Sequence, residues 1–289
     1  MPELPEVEST VRGLSQLVTG RKITDVWSDW PKIVRGKDFK SFQKGIIGRK
    51  IVSLSRRAKN ILFHLDEDFL LLVHLKMTGH LMVGQWTLPD KGAAQAIDGG
   101  ALSEKVNGYI HMILVLDDGR MIALSDLRKF AKVRLGKESE VFKEEKFDQI
   151  GPEATEITLL ELSKLASKSK KAIKSVLMDQ EKIAGIGNIY SDDILWKAKI
   201  NPLRPALSLT DKEIKDLFEA IKSILSLALK LRGTSISDYR DVFGEKGGYG
   251  DQRLIYRRDK EPCKRCGSSI KRIKIGGRSA RYCPICQKI

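Results

Sequence analysis

The sequence predicts an α+β chain of several domains: an antiparallel β sandwich or barrel with flanking helices, then a helical region, then a short cysteine-bearing module. Between residues 23 and 135, short apolar runs alternate with turn residues, which is typical of antiparallel sheets. After Lys137 the apolar residues recur at helical spacing. All four cysteines lie in the last 27 residues. These changes predict domains at residues 1–137, 138–235 and 236–289.

Two segments beside the predicted strands have a different amino-acid pattern. Residues 5–19 predict a helix, because Pro5 suits a first helical turn and Gly20 can end the helix. Its apolar side chains recur every three or four positions, at Val7, Val11, Leu14 and Val18. Residues 87–108 are rich in Gly and Ala with few apolar anchors, so they predict a mobile surface loop.

The helical region carries recognisable helix starts. Thr158 and Thr210 each precede a Glu by three residues, the pattern of a capping box. Behind Thr210 an apolar face predicts a long helix that Gly233 can end. Two more helices are predicted around the turn at 184–187, with Asn188 as the N-cap of the second. Such a glycine turn can approach a phosphate, although similar corners are common in purely structural settings.

The charge of the chain indicates a polyanionic partner. Its 289 residues include 52 Lys and Arg against 37 Asp and Glu, a net charge of +15, with a pI near 9.6. This favours nucleic acid, although a basic protein without a polyanion has the same composition. No apolar run approaches the roughly 18 residues of a membrane span. The acidic start Met1-Pro2-Glu3 is unlike a secretory signal, so we expect a cytoplasmic protein.

The cysteines are spaced as metal ligands. Two Cys-x-x-Cys pairs are separated by sixteen residues, so each pair can hold one edge of a tetrahedron while the segment between them folds back. We expect one structural Zn²⁺ rather than free thiols, disulfides or an iron–sulfur cluster. Four protein ligands leave no open position for metal catalysis. The predicted ligands are Cys263, Cys266, Cys283 and Cys286.

The cysteine-bearing tail also holds most of the excess charge. Residues 253–289 contain twelve Lys or Arg and two acidic residues, a net charge of +10. Neutralising phosphates is the main sequence-independent source of affinity for DNA. The tail is therefore predicted to contact the polyanion, the alternative being a merely solvated basic face.

Six short motifs run in order along nearly the whole chain. They are Pro2-Glu3-Leu4-Pro5-Glu6-Val7-Glu8, Arg56-Arg57-Ala58-Lys59, His74-Leu75-Lys76-Met77, Asp126-Leu127-Arg128-Lys129-Phe130, Gly187-Asn188-Ile189-Tyr190 and Gly276-Gly277-Arg278. Together with the cysteine module they resemble the formamidopyrimidine-DNA glycosylase family. The resemblance implies an N-terminal β-sandwich, a helix–two-turn–helix domain and a zinc finger, with DNA in the cleft between two domains.

The resemblance implies a base-excision repair enzyme with two activities. It would remove 8-oxoguanine and formamidopyrimidines from damaged double-stranded DNA and then nick the abasic site by β,δ-elimination. It would act as a monomer that associates with the nucleoid through DNA binding.

The same resemblance assigns the chemistry to the N-terminus. Removal of Met1 would leave Pro2 as a secondary amine, and an α-amino pKa near ~8 leaves a useful neutral fraction. Attack of this nitrogen on the sugar C1′ expels the base and leaves a Schiff base. Glu3 is the implied acid and base beside the sugar, and Glu6 helps to orient the site. Lys59 would contact a phosphate near the lesion and assist strand cleavage.

The DNA contacts are also implied by the resemblance. A base within a duplex cannot be reached, so the lesion must be flipped out, which leaves a hole. Residues 238–253 resemble the family's flexible loop that caps the everted base. The implied phosphate contacts are His74, Asn188 and Arg278. The implied hole-filling residues are Met77 and Phe130, which replace stacking, and Arg128, which bonds the orphaned base, a cytosine.

The chain departs from the family's pattern at several turns. Ala58, Ala131 and Arg257 stand where the family usually has Gly, and Leu127 replaces a frequent Pro. If such a position needs a positive φ, a side chain there is strained. The 87–108 loop is also longer than usual.

Two alternatives stay open at the level of sequence. A sister enzyme that resembles endonuclease VIII would prefer oxidised pyrimidines, although Leu4 and the three hole-filling residues favour the purine enzyme. A non-catalytic zinc-containing DNA-binding protein would need only the basic module and the glycine turn.

Overall fold

The computed structural model describes residues 1–89, 92–97, 99–236 and 238–289. No helix in these ranges is long and apolar enough to cross a membrane. The helices are α1 (Leu4–Val18), α2 (Phe39–Ile46), α3 (Glu138–Glu144), α4 (Leu159–Ser167), α5 (Ile173–Met178), α6 (Asn188–Lys197), α7 (Asp211–Lys230) and α8 (Tyr249–Gln252). The strands are β1 (Ile23–Trp27), β2 (Ile51–Arg57), β3 (Asn60–Leu65), β4 (Phe69–His74), β5 (His80–Gly84), β6 (Trp86–Thr87), β7 (Gln95–Ala96), β8 (Ile110–Leu116), β9 (Met121–Ser125), β10 (Lys132–Lys137), β11 (Lys271–Ile275) and β12 (Arg278–Tyr282).

The chain divides into two units by its internal contacts. The first comprises residues 1–148 and 231–250, and the second comprises residues 149–230 and 251–289. The chain after α7 thus returns to the first unit before the cysteine-bearing tail begins. The three-domain division at 1–137, 138–235 and 236–289 stays a prediction.

The first unit contains the predicted β sandwich. One sheet has the strand order β1-β8-β9-β5 and the other has the order β10-β4-β3-β2, with antiparallel pairing throughout both. Alternate side chains of both sheets point into one shared core, as strand periodicity requires. Buried members of this core include Phe63, Leu71, Val73, Leu114 and Leu124.

Helix α1 lies against the same core and confirms the helix predicted at residues 5–19. Its apolar face is completely or almost completely buried, from Val7 through Val11 and Leu14. The Glu6 carboxylate accepts the Glu3 N–H at 2.7 Å, which satisfies one of the unpaired donors at the helix start. Gly20 has φ +85° and lets the chain turn away after the helix.

The described part of the 87–108 segment lies largely at the surface, as predicted from its composition, but it contains short regular elements and packs locally against a sheet. Its described residues include β7 and two short 3₁₀ helices. Ala94 is buried with Trp86 and Met82 on the face of the β5-β9-β8 sheet that points away from the sandwich core. Because this face carries apolar residues such as Ile113, it needs a cover, and the segment supplies one.

His80 on β5 gives the first unit a dependence on pH. The ring is buried, and its Nε2–H donates to the Asn107 side-chain oxygen at 2.9 Å. Burial lowers the pKa of His80 to about 4, and the hydrogen bond to Asn107 opposes the shift without cancelling it. The unfolded chain, with a histidine pKa of ~6.5, therefore binds more protons than the folded chain as pH falls from 6.5 to 4.

We expect the free energy of unfolding to fall by about 2 kcal/mol between pH 7 and pH 5 from His80 alone. Urea denaturation at both pH values measures this loss. The free energy of unfolding of His80→Gln should fall by about 2 kcal/mol less than that of the wild type over the same pH range. Equal losses in the wild type and in His80→Gln would contradict the assignment.

The second unit confirms the predicted helix starts and corrects one cap. Thr158 and Thr210 form capping boxes, with their N–H groups donating to Glu161 and Glu213 at 2.8 Å each. The N-cap of α6 is Gly187 rather than Asn188, which is the first helical residue. Glycine at the cap leaves the Asn188 side chain free of the capping role.

The tail of the second unit is tied to α6 by buried carboxylates. Asp193 accepts three consecutive backbone N–H groups, from Leu254 at 3.0 Å, Ile255 at 2.9 Å and Tyr256 at 3.1 Å. Its neighbour Asp192 accepts the Arg281 N–H at 3.2 Å. Backbone bonds to buried carboxylates fix the tail on the helix that begins at the glycine turn.

Candidate active site and nucleic-acid interface

Residues 2–6, just after the exposed Met1, are buried and anchored by one carboxylate. Pro2 is buried, and Glu3 and Glu6 are each about 1% exposed. One oxygen of Glu6 accepts the Glu3 N–H and the other accepts the Thr234 N–H, each at 2.7 Å. The Tyr239 hydroxyl donates to the Glu6 carbonyl at 3.1 Å. Glu6 therefore joins the N-terminal residues to the chain that follows α7, an arrangement that its place in the sequence does not reveal.

Electrostatics at the amino terminus favour a neutral amine. Burial lowers the pKa of the amino group at Met1, the carboxylates of Glu3, Glu6 and Asp238 raise it, and Lys59 lowers it again, with a net decrease. The neutral amine is the nucleophilic form. The nearby charges also place Lys59 and Asp238 close to the start of the chain.

Lys59 lies where the sequence predicts it, in the turn between β2 and β3. The Arg56 guanidinium donates to Glu8 on α1 at 2.9 Å and to the Ala58 carbonyl at 2.9 Å, so it ties the turn to the first helix. Lys59 is 6% exposed. Its charge lowers the pKa of His74 as well as that of the amino terminus, so Lys59 lies near both groups.

The departures from the family's glycines have different structural consequences. Ala58 has φ +53° and Arg257 has φ +54°, so both adopt the left-handed conformation that favours glycine. A side chain in this region costs roughly 1–2 kcal/mol, which the surrounding contacts must offset. Ala131 is buried and is not in this region, so alanine is tolerated there without backbone strain.

His74 at the end of β4 presents a neutral ring with a fixed tautomer. Its Nδ1 accepts the Lys76 N–H at 3.0 Å, so the ring proton resides on Nε2. Burial and the nearby charges of Lys76, Lys132 and Lys59 together lower the pKa of His74 to about 3. His74 can therefore donate one hydrogen bond to an anion at neutral pH without carrying a charge.

Asp126 organises the loop that carries two of the predicted hole-filling residues. It is fully buried, and one of its oxygens accepts the N–H groups of Phe130 and Ala131 at 2.7 Å each. The other oxygen accepts the Thr78 hydroxyl and, at 3.3 Å, the Arg128 N–H. One carboxylate thus fixes this loop and joins it to the loop after β4.

The predicted hole-filling side chains are accessible rather than part of the core. Phe130 is 47% exposed, and the Arg128 guanidinium lies over its ring at 4.4 Å. Met77, half-buried, precedes the Thr78 that bonds Asp126. Exposure of a large aromatic ring on a rigid loop suits insertion into a base stack. The roles of Thr78 and Asp126 could not be read from the sequence, because their positions are 48 residues apart.

Asp126→Asn tests whether the Asp126 carboxylate holds the loop that carries Arg128 and Phe130. In either orientation the amide NH2 would face backbone N–H donors, those of Phe130 and Ala131 or that of Arg128, so we expect a loss of about 1–3 kcal/mol in the free energy of unfolding. Binding of lesion-containing duplex should weaken in parallel. Leu127→Ala, which changes an exposed side chain in the same loop, is the matched control. A fully stable Asp126→Asn protein with unchanged DNA affinity would argue against this role.

The second unit carries the other two predicted phosphate contacts. Asn188 begins α6, and its amide donates to the Ser279 hydroxyl at 3.5 Å. Arg278 is exposed at the start of β12, next to Ser279. Gly276 and Gly277 have φ +54° and +78°, which are the values of a tight hairpin turn just before Arg278. The structure therefore brings Asn188 and the Arg278 strand together.

The four predicted metal ligands converge. The sulfurs of Cys263, Cys266, Cys283 and Cys286 all lie within 4.8 Å of one another. The Trp196 indole N–H donates to the Cys263 sulfur at 3.3 Å, and the Cys286 N–H donates to the Cys283 sulfur at 3.3 Å. Four thiolates with N–H donors around them fit a tetrahedral structural Zn²⁺.

Three protein families match successive parts of the chain. The formamidopyrimidine-DNA glycosylase N-terminal domain matches residues 1–133, and the H2TH domain of the same enzymes matches residues 150–240. The zinc finger found in FPG and IleRS matches residues 260–289. These matches follow the order of the sandwich, the helices and the cysteine cluster.

Full-length relatives agree with these matches. The formamidopyrimidine-DNA glycosylase of Herpetosiphon aurantiacus is 40% identical, with 99% of this chain and 100% of the relative covered. That of Desulfitobacterium hafniense strain DCB-2 is 38% identical with the same coverage. The Lactococcus lactis Fpg (MutM) structure with N7-benzyl-Fapy-dG-containing DNA is 32% identical, with both chains fully covered and a TM-score of 0.86. The chain belongs to the formamidopyrimidine-DNA glycosylase family, and its four cysteines form the family's zinc finger.

Proposed function

We propose that this chain excises oxidised purines from duplex DNA with Pro2 as the nucleophile and then nicks the abasic site. The observation that carries the proposal is the buried start of the chain, where Glu6 anchors Glu3 and Lys59 lies near the amino group. Family membership makes the chain a DNA glycosylase with abasic-site lyase activity. The Lactococcus lactis relative has been crystallised with DNA containing Fapy-dG and with DNA containing an abasic site.

The proposed reaction begins after removal of Met1. The Pro2 nitrogen forms a bond to C1′ of the sugar while the bond from C1′ to the base breaks, and the departing base takes up a proton from water. The proton of the Pro2 nitrogen passes to the ring oxygen O4′, so the sugar ring opens and leaves an iminium ion. Glu3 then accepts a proton from C2′, and the electrons expel the 3′ phosphate. A second elimination expels the 5′ phosphate. Lys59 lowers the cost of negative charge on the departing phosphate.

The proposed DNA contacts draw on both units. His74, Asn188 and Arg278 would bind backbone phosphates as hydrogen-bond donors, and Arg278 adds a charge. Phe130 and Met77 would occupy the space left by the everted base, and Arg128 would bond its partner. We also propose that the chain has three functional parts, at residues 1–137, 138–235 and 236–289. It would act as a monomer, and it would be located in the cytoplasm with the DNA of the nucleoid.

Bound Zn²⁺ would hold the tail in its folded form and take no part in the reaction, because its four cysteines complete the coordination shell. The tail itself would supply much of the affinity for DNA through its net charge of +10.

Single-turnover excision assays test the choice of lesion. The wild-type protein should release 8-oxoguanine opposite cytosine and formamidopyrimidine much faster than thymine glycol. Faster release of thymine glycol would favour the pyrimidine-specific sister enzyme. Tight binding to all three duplexes without release of any base would favour a non-catalytic DNA-binding protein.

A further inference from the structure

Asn107 ties the 99–108 segment to the turn at residues 239–245. Its side chain is fully buried. The amide nitrogen donates to the Ala101 carbonyl at 2.6 Å and to the Gly244 carbonyl at 3.1 Å, while its oxygen accepts the His80 Nε2–H at 2.9 Å. Both donors and one acceptor site of the amide are used, so the orientation of the side chain is determined.

The approach of the two segments at this point leaves no room for a side chain. Gly244 has φ +80°, and a Cβ there would lie 2.8 Å from the Asn107 amide nitrogen and 3.2 Å from a methyl group of Leu102. A second link lies nearby, where the Arg240 guanidinium donates to the Glu104 carboxylate at 3.5 Å. The 99–108 segment therefore contacts the turn through both backbone and side-chain groups.

The same turn is held on its other side by the sandwich. The Val242 carbonyl accepts the Val83 N–H of β5 at 2.8 Å, and the Val242 side chain is buried in the main core. The Asp241 carboxylate accepts the N–H groups of Phe243 and Glu245 at 3.0 Å each. A turn fixed on both sides gives the chain that continues from it a defined starting point and direction.

We propose that Asn107 is a positioning residue for base excision, acting through this turn. The turn lies in residues 238–253, the segment that resembles a lesion-capping loop, so the inference rests on the proposed function. Asn107 would hold the turn in the position from which this segment caps the everted base. The 99–108 segment thus has a role beyond covering the sheet.

The two chemical steps should depend on Asn107 to different degrees. Excision of a damaged base requires that base to be held outside the duplex, whereas an abasic site has no base to cap. Loss of the clamp, which is the pair of hydrogen bonds from Asn107 to the Ala101 and Gly244 carbonyls, should therefore slow excision and leave cleavage of a preformed abasic site unchanged. A general loss of folding would reduce both rates together.

We would measure single-turnover rates on 8-oxoguanine and abasic duplexes for the wild type, Asn107→Ala and Asn107→Asp. Asn107→Asp keeps the size of the side chain and the acceptor for His80 but loses both donations. Both variants should excise 8-oxoguanine about tenfold more slowly, while abasic-site cleavage stays within twofold of the wild-type rate. Gln95→Ala, an exposed change in the preceding strand β7, is the control and should match the wild type.

Hydrogen exchange provides a readout that does not depend on activity. The amides of Asp241, Gly244 and Glu245 should exchange faster in Asn107→Ala than in the wild type. Equal effects on excision and abasic-site cleavage, or unchanged excision and exchange, would overturn the proposal while leaving the proposed function intact. A wild type that excises no lesion would refute the proposed function, and unchanged exchange would then refute the clamp separately.

Discussion

Pro2→Gly is expected to slow base excision at least about 100-fold, because the primary amine of glycine gives an imine that must be protonated, whereas proline gives a permanently charged iminium ion. Borohydride reduces a Schiff base to a stable amine, so the wild-type protein should become cross-linked to abasic DNA much faster than the variant. The buried position of Pro2 and the Glu6 hydrogen bond that anchors the neighbouring Glu3 support this assignment. Mass spectrometry of the trapped wild-type complex should place the adduct on Pro2.

Ser9→Ala is the matched control for that experiment. Ser9 lies on the same helix and donates only to the Pro5 carbonyl, at 2.8 Å, so its loss should leave trapping unchanged. Two results would refute Pro2 as the nucleophile: an adduct on an internal lysine such as Lys59, or fully active protein that retains Met1.

Cys263→Ser is expected to unfold the tail. The tail has a small core, made chiefly of Trp196, Ile255, Ile270 and two of the cysteines, so the metal supplies most of its folding free energy. Structural zinc contributes roughly 10 kcal/mol or more in comparable small modules. The variant should lose its one equivalent of zinc and bind undamaged duplex at least about tenfold more weakly.

Zinc content and the salt dependence of binding measure these effects together. The slope of log affinity against log salt should become shallower in Cys263→Ser, because fewer phosphates are neutralised. Ser269→Ala, an exposed change in the same module, should keep zinc, affinity and slope. Unchanged DNA affinity in a zinc-free Cys263→Ser protein would show that the tail is dispensable for binding.

Local patterns in the sequence anticipated much of the fold because their causes are local. The apolar spacing of residues 5–19 predicted α1, and the Thr158 and Thr210 boxes predicted two helix starts. Cysteine spacing predicted the cluster that the structure forms. In each case the physical rule spans a few residues or a fixed ligand geometry.

The sequence did not reveal features that depend on distant partners. Residues 87–108 lie largely at the surface, as their composition predicts, but that composition does not show that Ala94 covers an apolar sheet face or that Asn107 is buried. Asn188 looks like a cap because of its residue type, yet Gly187 takes that position. Composition and residue type report local preferences, and tertiary contacts override them.

The sequence by itself determined the β sandwich with its helices, the zinc ligands, the basic tail and, through its motifs, the family. Only the tertiary structure decided how the supporting groups meet: Glu6 with Thr234, Asp126 with Thr78, and Asn107 with Gly244. These pairs are separated by 228, 48 and 137 residues. Hydrogen bonds between such distant groups exist only after the core has packed, so no local pattern in the chain can encode them.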